Sequence, residues 1–429
     1  MKNFSQSDLE ELVSAGVING ESAKSIAAYF AERNSTPNNR LTIAFGILGS
    51  LLVGSGIILV LAHNWDQLWR PTKTVIAFLP LLLPQLLIWF TLIKKSDSTT
   101  WRESSSVLLF FGIGASISLI SQIYHIPGEI DSFLLTWMLL GLPLVYLLAS
   151  SSVSLLYIIG ITIYTMSASD NDFILQNTLI YLLLLAASIP HYLNCIRNKP
   201  GSYFIYFHNW LYALSSIFVL GFFSSGNDSG LALNYLSLFA ILVAIGSLKF
   251  ATANSFWTNA YSLIGSLGFV IILLIFSFDF LWENVHGRYD EFDASNSSTT
   301  AIVGAALIFC LVFLIGNNIR INGFAKTRSE TLVYLLFLPV YFLGMSSPGL
   351  SQIITNLLIL ALGVSIAYRS AKQQHLGLMN YGLLITLVLA ICRFFDDELS
   401  FVLRGTLFVA VGVGFFVSNY LMIRKKKVL

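Results

Sequence analysis

The residues best suited to chemistry stand in short polar stretches where long apolar runs begin or end. Two of them are arginines, Arg393 and Arg404, and a pair of guanidinium groups can hold a phosphate or carboxylate through paired hydrogen bonds. These residues form either a structural ion-pair network beside an interfacial tryptophan belt or a binding site for an anionic group. The candidate binding residues are His63, Asn64, Trp65, Asp66, Gln122, Tyr124, Arg393, Asp396 and Arg404.

Other reactive residue types show no pattern that indicates catalysis. Glu283 and His286 have the Glu-x-x-His spacing of diiron helix bundles, but such a centre needs two copies and the sequence has one. The three cysteines are scattered without metal or redox spacing. We assign no catalytic residue, no metal site and no cofactor, and an enzyme is the less favoured class.

The elements that must position these residues are membrane-spanning helices. Only 11% of the 429 residues are charged, against about 25% in soluble domains, and each crossing needs roughly 20 apolar residues. We predict an all-α, polytopic membrane helix bundle of about 14 spans. The predicted spans are Leu41–Ala62, Thr74–Ile93, Ser106–Ile123, Ser132–Ala149, Val153–Ser167, Phe173–Leu193, Phe204–Phe223, Leu231–Leu248, Asn259–Phe278, Thr300–Gly316, Thr331–Leu343, Leu350–Tyr368, Leu376–Cys392 and Phe401–Ile423.

The basic residues predict the orientation of these spans. With the N-terminus inside, 19 of the 24 Lys and Arg residues fall on the cytoplasmic side, as the positive-inside rule requires. Both termini are then cytoplasmic, and the candidate cluster lies on the outer face. The spans carry no charged residue near their middle, which argues against ion coupling through a buried carboxylate.

The first 38 residues are predicted to form a cytosolic pair of short helices, followed by a transmembrane domain over 39–429. The first helix is expected to end at Gly16, and the second to start at Asn19 or Gly20. This segment is either a cap on the bundle or a docking element for a partner or a second copy through residues 1–36.

Small residues and prolines indicate how some spans pack. Gly46, Ser50 and Gly54 recur every fourth position in the first span, a spacing that lets helices approach closely, inside one chain or between two. Pro80 and Pro84 interrupt the second span, either as tolerated membrane prolines or as a break that lines a cavity.

Several of these stretches together resemble a known family. The glycine-rich first span runs into Ala62-His63-Asn64-Trp65-Asp66, and the third span carries Gly114-Ala115-Ser116 and Ser121-Gln122-Ile123-Tyr124. Near the end come Arg393-Phe394-Phe395-Asp396 and Arg404-Gly405. The chain thus resembles bacterial predicted membrane proteins of the domain-of-unknown-function 2157 family. That resemblance implies a bacterial inner-membrane location and transfers no catalytic or binding residue.

The sequence leaves three classes of function open. The span count and the outer cluster favour a transporter or flippase-like protein for an anionic or lipid-linked substrate. The alternatives are a non-catalytic assembly or sensing protein, and a membrane-surface transferase with Asp66 or His63 as base. Membrane lipids are the expected partners, and the net charge of +2 indicates no nucleic-acid partner.

Overall fold

A computed structural model describes most of the chain, and its regular structure is helical. The described residues are 13–26, 39–63, 69–168, 174–198, 202–222, 228–248, 259–287, 294–323 and 327–394, with scattered positions between 402 and 416. No strand occurs among them. The predicted fold class, a polytopic bundle of membrane helices, is confirmed.

Fourteen helices follow one another in the described residues between Asn39 and Phe394. They are α1 Asn39–His63, α2 Arg70–Lys94, α3 Thr99–Tyr124, α4 Ile130–Leu147, α5 Ser151–Ser167, α6 Ile174–Asn198, α7 Tyr203–Phe222, α8 Asp228–Gly246, α9 Ala260–Ile275, α10 Asp279–Gly287, α11 Ala294–Asn322, α12 Ser329–Gly344, α13 Pro348–Lys372 and α14 Leu376–Phe394.

A helix covers most of each of the first thirteen predicted spans, and most of Phe401–Ile423 falls outside the described residues. Eight described helices are long and apolar enough to cross a membrane: α2, α3, α4, α6, α7, α11, α13 and α14. The α9–α10 pair, bent by 76°, would make a ninth. Helices α1, α5, α8 and α12 have shorter apolar segments, so the count of fourteen stays a prediction.

The chain forms two compact units, Met1–Tyr157 and Ile158–Leu429, here called the N-terminal and C-terminal units. The division falls within α5, inside the region predicted as one transmembrane domain. The predicted boundary at residue 38 lies outside the described residues. Just before it, Gly16 adopts φ +68° and the Asn19 side chain accepts a hydrogen bond from the backbone N–H of Ser22, as expected for a helix end and a helix start.

The N-terminal unit is built around α3, which packs against α1, α2 and α4. The small residues of α1 lie against α3: a Cβ added at Gly46 would collide with Ser104, and the Ser50 hydroxyl contacts the Ser104 carbonyl at 3.0 Å. The four-residue spacing therefore serves packing within the chain. On the other side, the Trp137 indole N–H of α4 donates to the carbonyl of Phe110 at 2.8 Å.

The prolines of α2 mark its closest approach to α3. Pro84 has no N–H to donate to the carbonyl of Pro80, four residues earlier. Gly112 of α3 lies so near this carbonyl that an added Cβ would overlap its oxygen. A side chain at 112 would separate the two helices, so the glycine is required by the contact.

The C-terminal unit has a continuous apolar core. Its largest fully buried side chains include Trp282, Phe269, Phe276 and Phe337, contributed by α9, α10, α12 and the α9–α10 connection. Helix α13 packs on α12 and α14. This packing brings the N-terminal end of α12, the C-terminal end of α13 and the N-terminal end of α14 together.

Candidate functional site

The predicted outer cluster divides between the two units. In the N-terminal unit, Gln122 and Tyr124 are exposed at the end of α3, and the Tyr124 hydroxyl lies 3.2 Å from that of Thr74. His63 ends α1, but its side chain is outside the described residues, and so are Asn64, Trp65 and Asp66. This half of the cluster stays a prediction.

The second half lies in the C-terminal unit, where Arg393 is buried near the end of α14. Its guanidinium lies over the Phe278 ring at 4.8 Å, and Nη2 is 3.4 Å from the Ser277 Oγ. Asp396 and Arg404 fall outside the described residues. The contacts with Phe278 and Ser277 fit the structural alternative, since they fix α14 to the end of α9.

The Glu-x-x-His pair lies on α10, but its two side chains serve different purposes. Glu283 is exposed, and the His286 Nδ1 lies 2.7 Å from the carbonyl of Met345. Among the described residues, no three His, Cys, Asp or Glu side chains group closely enough to hold a metal ion. The hydrogen bond of His286 therefore connects α10 with the segment between α12 and α13.

A different polar site occurs where α12, α13 and α14 meet, and we call it the α12–α14 pocket. It has a volume of about 340 Å³, within the range of small-ligand sites. The predicted topology assigns it to the cytoplasmic side. It is lined by Thr327, Arg328, Ser329, Glu330, Ile366, Arg369, Ser370, Lys372, Gln373, Leu378 and Tyr381.

A buried ion pair forms one wall of this pocket. Arg328 precedes α12 and donates from Nη2 to the Glu330 Oε1 at 2.8 Å and from Nε to Oε2 at 3.4 Å. Glu330 is 2% exposed and Arg328 27%. Ser266 donates to Glu330 at 2.9 Å and lies 3.0 Å from the Tyr381 hydroxyl. The pair thus links α12 to α9 and α14.

The carboxylate of this pair is held in its charged form. Glu330 precedes the apolar stretch that starts at Thr331. Its burial would raise the pKa, but the Arg328 guanidinium and the hydrogen bonds from Arg328 and Ser266 outweigh burial, and the pKa is lowered from its ordinary value. The positive end of the helix dipole also stabilises a carboxylate in the first turn. Glu330 therefore neutralises Arg328.

The opposite wall carries the positive charges of Arg369 and Lys372. Arg369 donates from Nη1 to the carbonyl of Thr327 at 2.6 Å, and Lys372 lies 4.4 Å from the centre of the Tyr368 ring. In the described part of the chain, neither forms an ion pair with an acidic side chain. Two cations at a cavity of this size can bind an anion.

Sequence reasoning counted Arg328, Arg369 and Lys372 only as markers of orientation. The missed signal is Glu330, an acidic residue directly before an apolar span on a face that is otherwise rich in Lys and Arg. Such a carboxylate is costly unless it is paired. What the sequence could not show is that α13 brings Arg369 beside Thr327.

A second buried carboxylate, Glu103, lies in the N-terminal unit. Like Glu330, it stands shortly before a predicted apolar span. It is 2% exposed and accepts hydrogen bonds from the Ser150 hydroxyl at 2.5 Å and from the backbone N–H groups of Ser151 and Ser152, both at 3.0 Å. Helix N-termini leave such N–H groups without partners inside the helix. Glu103 therefore caps α5 from α3, which is a structural use.

Comparison with known proteins places the N-terminal part of the chain in a family context. No curated protein and no solved structure matches the chain. The α12–α14 pocket lies beyond the region with a family match. Residues 10–154 match the family described as Predicted membrane protein (DUF2157), which confirms the resemblance over about a third of this chain and identifies it as a membrane protein with several apolar helices.

Proposed function

We propose that this membrane protein binds an anionic group, free or as the headgroup of a lipid, in the α12–α14 pocket. The observation that carries the proposal is the pair of cations, Arg369 and Lys372, which line a cavity of about 340 Å³ and form no ion pair with a carboxylate of the described residues. Basic pockets between membrane helices are suited to anionic headgroups. A lipid-linked anion is the preferred ligand, because the pocket lies at the helix ends, beside the apolar segments.

The pocket offers two kinds of contact to such a ligand. Lys372 is exposed and supplies a mobile point charge, whereas Arg369 is half-buried and is fixed by its bond to Thr327. A fixed guanidinium loses less entropy on binding than a free one and can form paired hydrogen bonds. Arg369 therefore orients the anion, and Lys372 adds attraction.

Lipid titration of the purified full-length protein tests this proposal. Native mass spectrometry would count phosphatidylglycerol and phosphatidylcholine molecules retained by the wild type and by Lys372→Gln and Arg369→Gln. We expect preference for phosphatidylglycerol and a loss of about five-fold in affinity for Lys372→Gln, from about 1 kcal/mol per basic residue near an anionic surface. Arg369→Gln should lose more, since its hydrogen bonds are also lost.

Two comparisons make the result decisive. Arg320→Gln removes an exposed cation at the end of α11, outside the pocket, and should leave the preference unchanged. Competition with soluble glycerol phosphate distinguishes a site for a free anion from a site for a lipid-linked anion. If the ligand is lipid-linked, glycerol phosphate should displace phosphatidylglycerol only weakly. If Lys372→Gln and Arg320→Gln behave alike, the pocket is not the binding site.

Transport of the bound group is the larger step within this proposal. It would make the protein flippase-like, with Arg393 as a second contact at the other end of α14. A non-catalytic sensing role needs the binding step alone. Flux across reconstituted vesicles separates the two, since only transport moves labelled phosphatidylglycerol between leaflets.

A further inference from the structure

A second cavity lies in the N-terminal unit, between α2, α3 and α4, and we call it the α2–α4 groove. It has a volume of about 490 Å³, and most of its wall is apolar, from side chains such as Phe78, Ile113 and Ile117. It reaches the end of the unit where α3 ends and α4 starts, near Gly128 and Glu129. This groove is separate from the α12–α14 pocket and shares no residue with it.

One polar group in the groove is the hydroxyl of Ser116. The Ser116 side chain is 7% exposed, and its hydroxyl forms no hydrogen bond with any of the residues that the structure describes. Several other hydroxyls on helices of this unit donate to the carbonyl four residues earlier, as Ser50 and Thr136 do, both at 2.8 Å. A buried hydroxyl without a partner costs free energy, so Ser116 is available to a ligand that enters the groove.

The mouth of the groove carries the opposite charge to the α12–α14 pocket. Glu129 is the N-cap residue of α4, but its side chain forms no capping hydrogen bond and is exposed. Among the lining residues it is the charged one. Arg70 and Lys73 start α2 at the same end, because Thr74 contacts Tyr124 there. A head with an ammonium group and a phosphate fits this arrangement.

We propose that the α2–α4 groove binds an aminophospholipid such as phosphatidylethanolamine. Its ammonium group pairs with the Glu129 carboxylate, an ester carbonyl accepts a hydrogen bond from Ser116, and one acyl chain lies against Phe78, Ile113 and Ile117. Ser116 lies eight residues before the end of α3, about 12 Å along the helix axis. This depth suits the polar region between a headgroup and its chains.

Native mass spectrometry of the full-length protein with phosphatidylethanolamine, phosphatidylcholine and phosphatidylglycerol tests the assignment. We expect phosphatidylethanolamine to be retained best, because its ammonium N–H groups donate to a carboxylate and a trimethylammonium group cannot. Glu129→Gln should lower this retention about five- to ten-fold, and Ser116→Ala should lower it by a similar factor. Ile117→Trp, which fills the groove, should abolish it.

Matched variants separate lipid binding from folding. Glu283→Gln removes another exposed carboxylate outside the groove, and Ser351→Ala removes another buried hydroxyl that forms no hydrogen bond within the described residues. Both should bind like the wild type. Ser116→Ala should keep or raise the melting temperature in detergent, since it removes an unsatisfied group. Equal retention of the three lipids by the wild type, or unchanged retention in Ser116→Ala and Glu129→Gln, would overturn the proposal.

Discussion

The sharpest prediction concerns the Arg328–Glu330 pair, because each member changes stability and ligand binding differently. Glu330→Gln keeps the shape of the side chain but leaves the Arg328 guanidinium without its partner. Breaking a fully buried pair costs about 3–5 kcal/mol. Arg328 retains 27% exposure, so water compensates part of this loss, and we expect a destabilisation of about 2 kcal/mol.

The same substitution should strengthen anion binding. Glu330→Gln raises the charge that lines the pocket by one unit, which corresponds to about 1 kcal/mol or five-fold in affinity for an anionic headgroup. Arg328→Gln lowers the charge by one unit and leaves Glu330, 2% exposed, without its partner. It should therefore lose more stability and also lose about five-fold in affinity.

Thermal unfolding in detergent and phosphatidylglycerol titration would be measured on both variants. The expected pattern is two less stable proteins whose affinities move in opposite directions from the wild type. Lys372→Gln serves as the reference for a change of charge without loss of stability, because Lys372 is exposed. If affinity falls in parallel with stability in both pair variants, the electrostatic reasoning is wrong and the pair is only structural.

Three further substitutions test the packing and the buried polar contacts. Gly112→Val should separate α2 from α3 at Pro80 and destabilise the protein by well over the roughly 1–3 kcal/mol typical of overpacking. The yield of folded protein should fall as a result. Arg393→Ala should destabilise by about 1–2 kcal/mol through loss of its contact with Phe278, and Arg393→Lys should restore part of it. Glu103→Gln replaces one carboxylate oxygen by an amide N–H₂ that opposes at least one of the three donors of Ser150–Ser152, and it should cost about 2–3 kcal/mol in detergent unfolding.

Two of these variants, Gly112→Val and Glu103→Gln, have a control that shares the residue type. Gly56→Val adds the same side chain where nothing lies within 4 Å and should leave the yield unchanged. Glu21→Gln changes an exposed carboxylate and should leave the unfolding temperature unchanged. Arg393→Ala with a wild-type melting temperature but without ligand binding would favour the predicted outer site over the structural use.

Helices were predictable from sequence because apolar runs of this length have few alternatives. In a membrane every backbone N–H and C=O must be satisfied within the segment, so a run such as Thr74–Ile93 indicates one helix, and α2 covers it. Span length was less predictable. The α9–α10 bend at 76° falls after Ile275, where no glycine or proline marks a break.

The site was harder to predict than the fold, because it depends on which helix ends meet. Arg393 was expected either to line an anion-binding site or to join an ion-pair network with a carboxylate, whereas its described contacts are Phe278 and Ser277 at the end of α9. The cations of the α12–α14 pocket obey the positive-inside rule. Their positions in the sequence therefore indicate orientation and do not indicate a binding site. Their proximity follows from the packing of α13 on α12 and α14, which local sequence does not encode.

Whether the bound anion also crosses the membrane depends on the apolar layer of the C-terminal unit. Tyr381 and Arg393 lie twelve residues apart on α14, about 18 Å along its axis. Between them Ile385 and Leu389 are buried in the same apolar cluster as Phe269. A charge in such an apolar layer costs several kcal/mol. Transport would therefore require α14 to move against α9.

We expect reconstituted vesicles to bind phosphatidylglycerol without moving it between leaflets. Flux that disappears in Lys372→Gln and persists in Arg320→Gln would instead show that the helices open and that the protein is a transporter.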